Sequence, residues 1–188
     1  MKTPLRYQAS KGDCGPTTFL NAITYLFDKK SIPPMAIDYI YRYTLDYAKC
    51  IGTSTYALEF LGEFFQENRL KTPQFTLSID IIEGKEVHCS KDGNIYKHLK
   101  NSGVAICYFN SKNQDHYMLA MGIDEDYIFL FDPHYRKRLK DSNGNYIHLP
   151  SNGFEPNLKI KRKWIDKESE RFSFGPKNDR WCLLIKKG

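Results

Sequence analysis

No apolar run in the 188 residues approaches the about 20 that a membrane-spanning helix needs, and the longest stretch of purely aliphatic or aromatic side chains is Tyr127 to Phe131. A transmembrane role is therefore excluded, and no membrane insertion is expected. No apolar stretch follows the first lysine of MKTPLRYQASKGDCGP, so the signature of a secretory signal peptide is missing and a cytoplasmic location is predicted. Cysteine is scarce and irregular: positions 14, 50, 89, 107 and 182 contain no CxxC pair, which argues against a disulfide framework or zinc ribbon and for free thiols. Internal repeats, low-complexity tracts and a Gly-rich Lys-Ser/Thr phosphate loop are also lacking.

What is present is the composition of an ordinary globular chain, 41% hydrophobic and 27% charged. A chain of this length buries roughly two-thirds of the surface that its unfolded form exposes, so one domain over residues 1–188 is expected to hold together without metal or disulfide staples. Charge is divided unevenly. Residues 1–135 hold 14 Lys and Arg against 16 Asp and Glu, whereas residues 136–188 hold 14 against 6. The second part is net basic, which suits a solvated surface or an anionic partner. No basic motif of a nucleic-acid module stands out, so nucleic acid is not the expected partner.

In Pro16 to Phe27 the residues Phe19, Leu20, Ile23, Leu26 and Phe27 form the stripe of an amphipathic helix, with Pro16 suited to its first turn. A second helix is predicted after Pro33-Pro34 through about Tyr47, and a third over Ser54 to Gln66, where Ala57, Leu58, Leu61, Phe64 and Phe65 repeat the stripe. Beyond Pro73 the period changes to two, with Phe75, Leu77, Ile79 and Ile81 alternating with polar residues. A short helix over Ile95 to Lys100 precedes predicted strands at Val104 to Phe109, Tyr117 to Ile123, Tyr127 to Phe131, Tyr146 to Leu149 and Trp181 to Ile185. Asp141 to Gly144 and Ser151 to Asn157 read as surface loops. The fold class is α+β, with a helical half over 1–72 and a mainly antiparallel sheet over 73–188.

Cys14 is the most informative position, because it precedes the first predicted helix within Gly12-Asp13-Cys14-Gly15-Pro16. The unpaired N–H groups and positive dipole end of a helix start favour a thiolate, which is the nucleophilic form. Gln8, six residues upstream, offers an amide donor that could join the Cys14 backbone N–H around an oxyanion.

A nucleophilic thiol needs a base, and five histidines compete. His88, His98 and His148 lie among polar residues and read as surface or packing side chains. His116 opens a predicted hairpin around Asp124-Glu125-Asp126. If that turn centres on Glu125, facing residues have numbers summing to about 250 and share parity, so Asp132 comes within reach of the His116 imidazole while Asp124 and Asp126 sit at the far end. His134 could replace His116 by the same argument but has no comparably placed acid. One S, one N and one O ligand could also bind zinc, yet Cys14, His116 and Asp132 lack the short paired spacing of structural sites.

Taken together, Gln8 to Pro16, Gly52-Thr53-Ser54, His116 to Asp124 and Asp132-Pro133 resemble the bacteriocin-processing, double-glycine leader peptidases and their free-standing relatives among the papain-like cysteine peptidases. The likeness spans most of residues 5–135. It implies Cys14 as nucleophile, His116 as general base and acid, Asp132 as the group orienting the imidazole, and Gln8 in the oxyanion hole. It also implies a nucleophile-bearing helix packed on an antiparallel, barrel-like sheet half, with Gly52-Thr53-Ser54 as a turn and helix cap. The expected activity is cofactor-free cysteine peptidase chemistry on a peptide or amide. An acyltransferase or amidase using the same triad, or a non-catalytic peptide-binding module, are the alternatives. Coupled export is not implied, since no membrane segment or phosphate loop is present. The basic region is expected to add strands, with Trp181 to Ile185 closing the sheet half, and to favour an acidic substrate through Lys161, Arg162 and Lys163.

Overall fold

The first helix, α1 (Cys14–Leu26), begins two residues earlier than its stripe suggests, so Cys14 is itself the first helical residue. Twelve of its thirteen residues are buried, which is more than an amphipathic stripe predicts. The N-terminal segment covers the face that would otherwise meet solvent: Asn21 accepts from the Arg6 N–H at 2.8 Å and donates to the Arg6 carbonyl at 2.9 Å. On another side the Thr18 hydroxyl donates to the carbonyl of Tyr117. Short polar side chains thus let α1 run through the interior with its polar groups paired.

The computed structural model describes residues 2–46, 52–67, 72, 74–111, 115–137, 139, 141 and 143–188. After α1 come α2 (Pro34–Thr44), α3 (Thr55–Gln66), β1 (Leu77–Glu83), α4 (Asn94–Lys100), β2 (Val104–Phe109), β3 (His116–Ile123), β4 (Tyr127–Phe131), β5 (Tyr146–His148), β6 (Leu158–Lys161), α5 (Arg162–Ile165) and β7 (Trp181–Lys187). Tyr47, Cys50 and Pro73 lie outside the described residues. Within the described part, α2 ends at Thr44, whose hydroxyl donates to the Ile40 carbonyl.

The strands form one antiparallel sheet in the order β1-β7-β2-β3-β4-β6-β5. The C-terminal strand therefore does not close the sheet half but inserts between β1 and β2, where both its edges are paired. Leu77 and Ile79 of β1 turn inward as expected, whereas Ile81 is 38% exposed, on an edge strand with one open flank. β6 and α5 had no clear signal. Four residues with two inward side chains, Leu158 and Ile160, are too short a pattern to separate from the loop before them.

Each sheet face has its own core. Leu77, Ile79, Val104, Ile106, Tyr117, Leu119, Phe131, Leu183 and Ile185 meet α1, α2 and α3 on one side. On the other, Ala105, Cys107, Met118, Ala120, Ile128, Leu130, Cys182 and Leu184 meet Ile95 and Leu99 of α4, Ile165 of α5, and Phe172 and Phe174. Phe19 stacks on Phe65 at 5.5 Å, and Phe65 and Phe27 both pack on Phe75, so aromatic contacts bind α1 to α3 and to the entry of β1. Full burial of each such ring contributes about 2–3 kcal/mol, which fixes the helix that begins with Cys14.

Candidate active site

Cys14 is 6% exposed at the start of α1, and the loop before it is folded around one carboxylate. Asp13 accepts from the N–H groups of Ala9 (3.0 Å) and Ser10 (2.9 Å) and from the Ser10 hydroxyl (3.0 Å). The carboxylate thus points back into the loop and leaves the first-turn N–H groups of α1 without a side-chain cap. One residue earlier in the approach, the Gln8 N–H donates to the carbonyl of Pro133 at 2.8 Å. That bond ties the segment leading to Cys14 to the segment just after Asp132.

Gly15 is required by packing. A Cβ at that position would lie 2.4–2.6 Å from the side chain of Thr53, which presses against the helix start. Thr53 in turn receives the Tyr117 hydroxyl on its carbonyl at 3.2 Å, and Ser54 caps α3 by accepting from the Ala57 N–H at 3.1 Å. Thr53 thus braces the start of α1, and Ser54 caps α3.

The histidine and acid meet as the hairpin parity implies. Leu119 pairs with Phe131 and Ala120 with Leu130, both summing to 250, and the irregularity between Ala120 and Gly122 shifts register only toward the turn. His116 Nε2 lies 2.7 Å from Asp132 Oδ1, with side chains 12% and 4% exposed. Cys14 is the second group whose proximity acts on the imidazole. With Nε2 engaged by Asp132, Nδ1 is the nitrogen left for the sulfur.

Burial by itself would push the His116 pKa down, but the hydrogen bond to Asp132 and the influence of Asp132 and Cys14 outweigh it and raise the value to about 9. For Asp132, burial would raise the pKa, and the hydrogen bond and charge of His116 with the charge of Arg136 bring it below the ordinary carboxylate value. The two directions agree, as a buried ion pair requires.

Two further residues hold Asp132, and nothing local in the sequence marks them. Arg136 Nε donates to Asp132 Oδ2 at 2.7 Å. Asn157 clamps the Asp132 backbone, accepting from its N–H at 2.7 Å and donating to its carbonyl at 2.8 Å. A carboxamide next to a strand end is a frequent backbone clamp, but only the fold shows which strand it meets.

Among the other expected residues, the Gln8 side chain donates from Nε2 to the Ser10 carbonyl at 2.6 Å, while its Oε1 is buried without a partner. His134 stands edge-on to His116 with ring centroids 6.4 Å apart, and burial first, then the Arg136 charge, lower its pKa. Its backbone N–H, rather than its ring, reaches Asp132 Oδ1 at 2.8 Å. His98 bonds the carbonyls of Val104 and Ile185, His88 bonds the Ser90 hydroxyl, and His148 is exposed. Cys89, Cys107 and Cys182 are free and buried on the opposite sheet face. Among the described residues no group of three or more His, Cys, Asp or Glu side chains could hold a metal ion. No described helix is long and apolar enough to cross a membrane.

Lys161, Arg162 and Lys163 do not adjoin this site. The Arg162 N–H pairs with the Asp126 carbonyl at the turn end of the β3–β4 hairpin, roughly 25 Å along β3 from His116. Arg162 is also buried, so it does not offer its charge to a substrate.

No protein-family model and no curated protein matches the chain. Among solved structures, the peptidase domain of Streptococcus ComA, a bi-functional ABC transporter involved in a quorum-sensing pathway, aligns over 98% of both chains with a TM-score of 0.52 and 11% identity. The peptidase domain of Streptococcus mutans ComA aligns over 97% of this chain and 98% of its own, with 9% identity and a TM-score of 0.44. The first likeness is one of fold. The chain has the α+β, papain-like architecture, with the helix that begins at Cys14 packed on an antiparallel sheet.

Proposed function

We propose that the chain is a papain-like cysteine peptidase, a single catalytic unit that hydrolyses peptide or amide bonds through Cys14, His116 and Asp132. The observation that carries this reading is the imidazole of His116, 2.7 Å from a buried Asp132 and close enough to Cys14, at a helix start, for the two to act on each other electrostatically. The shared fold with a peptidase domain supports it.

His116 takes the proton of the Cys14 thiol, giving a thiolate and an imidazolium whose charge Asp132 balances. The Cys14 sulfur attacks the carbonyl carbon, and the oxygen takes the electron pair. The Cys14 backbone N–H and the second amide hydrogen of Gln8, the one not given to Ser10, are the donors for that oxygen. Collapse of the intermediate breaks the C–N bond, and His116 delivers its proton to the leaving amine. The thioester is then opened by water, which gives a proton to the now neutral His116 and releases the acid. An amine in place of water would give acyl transfer, so adding a primary amine during turnover and comparing the two products distinguishes hydrolase from transferase.

A preference for acidic substrates is not part of this proposal, because the lysines that suggested it lie at the far end of the hairpin. The decisive test is brief treatment with limiting iodoacetamide near pH 6, mapping of the labelled cysteine, and the same treatment of His116→Ala. Selective labelling of Cys14 that the variant loses is expected, since an unpaired thiol is almost wholly protonated at that pH. Equal, slow labelling of Cys14 and of Cys89, Cys107 and Cys182 would overturn the reading.

A further inference from the structure

We infer that Arg136 is a positioning residue of the proposed site, holding the second oxygen of Asp132 so that this buried carboxylate stays ionised when His116 must act as a neutral base. The inference rests on the peptidase reading and adds a division of labour between its two steps.

The carboxylate of Asp132 accepts three hydrogen bonds, and its backbone is held as well. Oδ1 accepts from His116 Nε2 (2.7 Å) and from the His134 N–H (2.8 Å), Oδ2 accepts from Arg136 Nε (2.7 Å), and Asn157 clamps the backbone. The charged or titratable groups around it are His116 on β3, Cys14 behind His116 on α1, and His134 and Arg136 on the segment after β4. His148 of β5 joins them at a small cavity beside Asn157. Arg136 is the one permanent cation among these groups.

Its side chain is itself held. The guanidinium lies over the ring of Phe172 at 5.2 Å, and Phe172 is fully buried with φ of 59°. A bulky residue in the left-handed region is costly and persists only where its surroundings enforce it. Here the enforced residue is the platform beneath the arginine.

Charge changes during turnover give this arrangement a purpose. Once His116 has taken the thiol proton, the imidazolium lies between the thiolate and Asp132, and the carboxylate has a counter-charge with or without Arg136. After acylation the sulfur is a neutral thioester and the proton has left with the amine. His116 must then be neutral to accept a proton from water, which leaves Asp132 buried with Arg136 as the only cation bonded to it among the described residues. Without the guanidinium, the cheapest way to balance that carboxylate is to keep His116 protonated, and a protonated His116 cannot act as base.

The experiment uses the whole chain with Cys14 alkylated by iodoacetamide, which leaves a neutral sulfur as in the acyl-enzyme. The His116 ring is then titrated by NMR in the parent, Arg136→Gln and Arg136→Lys. The expected result is a His116 pKa higher by about one unit in Arg136→Gln and within about 0.3 of the parent in Arg136→Lys, one unit being tenfold in the neutral fraction. In parallel, p-nitrophenyl acetate should show a burst (acylation) changed less than about threefold in Arg136→Gln, and a steady-state rate (deacylation) about tenfold slower at pH 7 that recovers toward pH 9. An unmoved or acid-shifted His116 titration, or equal loss in both phases at every pH, would overturn the inference while leaving the triad standing. A parent protein with neither burst nor selective labelling of Cys14 removes the peptidase reading itself, and Arg136 falls with it.

Discussion

At one end of the β3–β4 hairpin, Asp132 takes bonds from His116 and Arg136; at the other, Arg162 gives its hydrogens to the carbonyls of Cys89 (2.6 Å) and Glu125 (2.8 Å) and stacks on Tyr96. Both ends bury an arginine or its partner, and both have a cysteine close by. The partners make the difference. A carbonyl does not titrate, so the bonds that Arg162 itself makes do not change with pH, whereas a carboxylate shared between an imidazole and a guanidinium changes state with its neighbours. The thiols differ too: burial first, then the negative charge of Asp166, pushes Cys89 well above the usual thiol range, while Cys14 lies beside the His116 imidazole.

If that contrast is correct, damage at the two ends should show in different measurements. Cys14→Ala should lower peptide or ester hydrolysis by about 1,000-fold or more, with little change in the urea midpoint of unfolding. Arg162→Met should do the reverse, costing about 3 kcal/mol of stability by stranding buried carbonyls, while Cys14 alkylation at pH 6 keeps its rate. An Arg162→Met protein of unchanged stability that no longer labels at Cys14 would break the comparison.

The next effect is in pH. The folded pKa of His116 is raised to about 9, above its unfolded value of about 6.5, so its contribution to stability is fully present below the unfolded value and is lost as pH rises through the folded one. The shift corresponds to a contribution of order 3 kcal/mol. Urea unfolding of the parent and of His116→Gln should therefore differ most near pH 6 and converge by about pH 10. The deficit of Arg162→Met should stay flat over that range. A His116→Gln deficit that does not shrink with rising pH would mean that the imidazole is not an ion-pair partner.

Asn157→Ala should have a smaller effect, about 1–2 kcal/mol for two hydrogen bonds to the Asp132 backbone, with alkylation of Cys14 slowed a few-fold. Loss of stability with no change in alkylation rate would show that the clamp supports the strand end without orienting the carboxylate.

Much of this geometry was legible before any coordinates. Helix α3 and its Ser54 cap, the hairpin parity that brings His116 to Asp132, and a helix just after Cys14, which in the fold begins two residues earlier, all rest on local patterns of period 3.6 or 2. The bulge after Ala120 left the prediction intact because it lies on the turn side of the pair. Contacts between residues distant in sequence had no such periodic signal. Arg136 stands in a basic run, Arg136-Lys137-Arg138, that reads as solvated surface, and only the chain's path after β4 turns its head group back to Asp132. Thr53 against Gly15 joins two helix starts that nothing local relates. The insertion of β7 between β1 and β2 is equally silent, because strand order is set by how apolar faces are shared across the sheet.

The smallest expected effect concerns the lysines beside Arg162. Charge alone made Lys161, Arg162 and Lys163 a plausible acidic-peptide site, but reversing all three would bury a carboxylate at 162 and unfold the far end for reasons unrelated to recognition. Lys161→Glu with Lys163→Glu leaves the buried guanidinium in place and isolates the surface charge. At roughly 25 Å from His116, and with a Debye length of about 8 Å at physiological salt, that reversal should leave kcat/KM for an acidic peptide and its neutral counterpart unchanged within about twofold. Stability should move by less than about 0.5 kcal/mol, as for surface substitutions generally. A selective loss on the acidic peptide that vanishes at high salt would show that substrate reaches along the whole hairpin, and the two ends would then be parts of one binding surface.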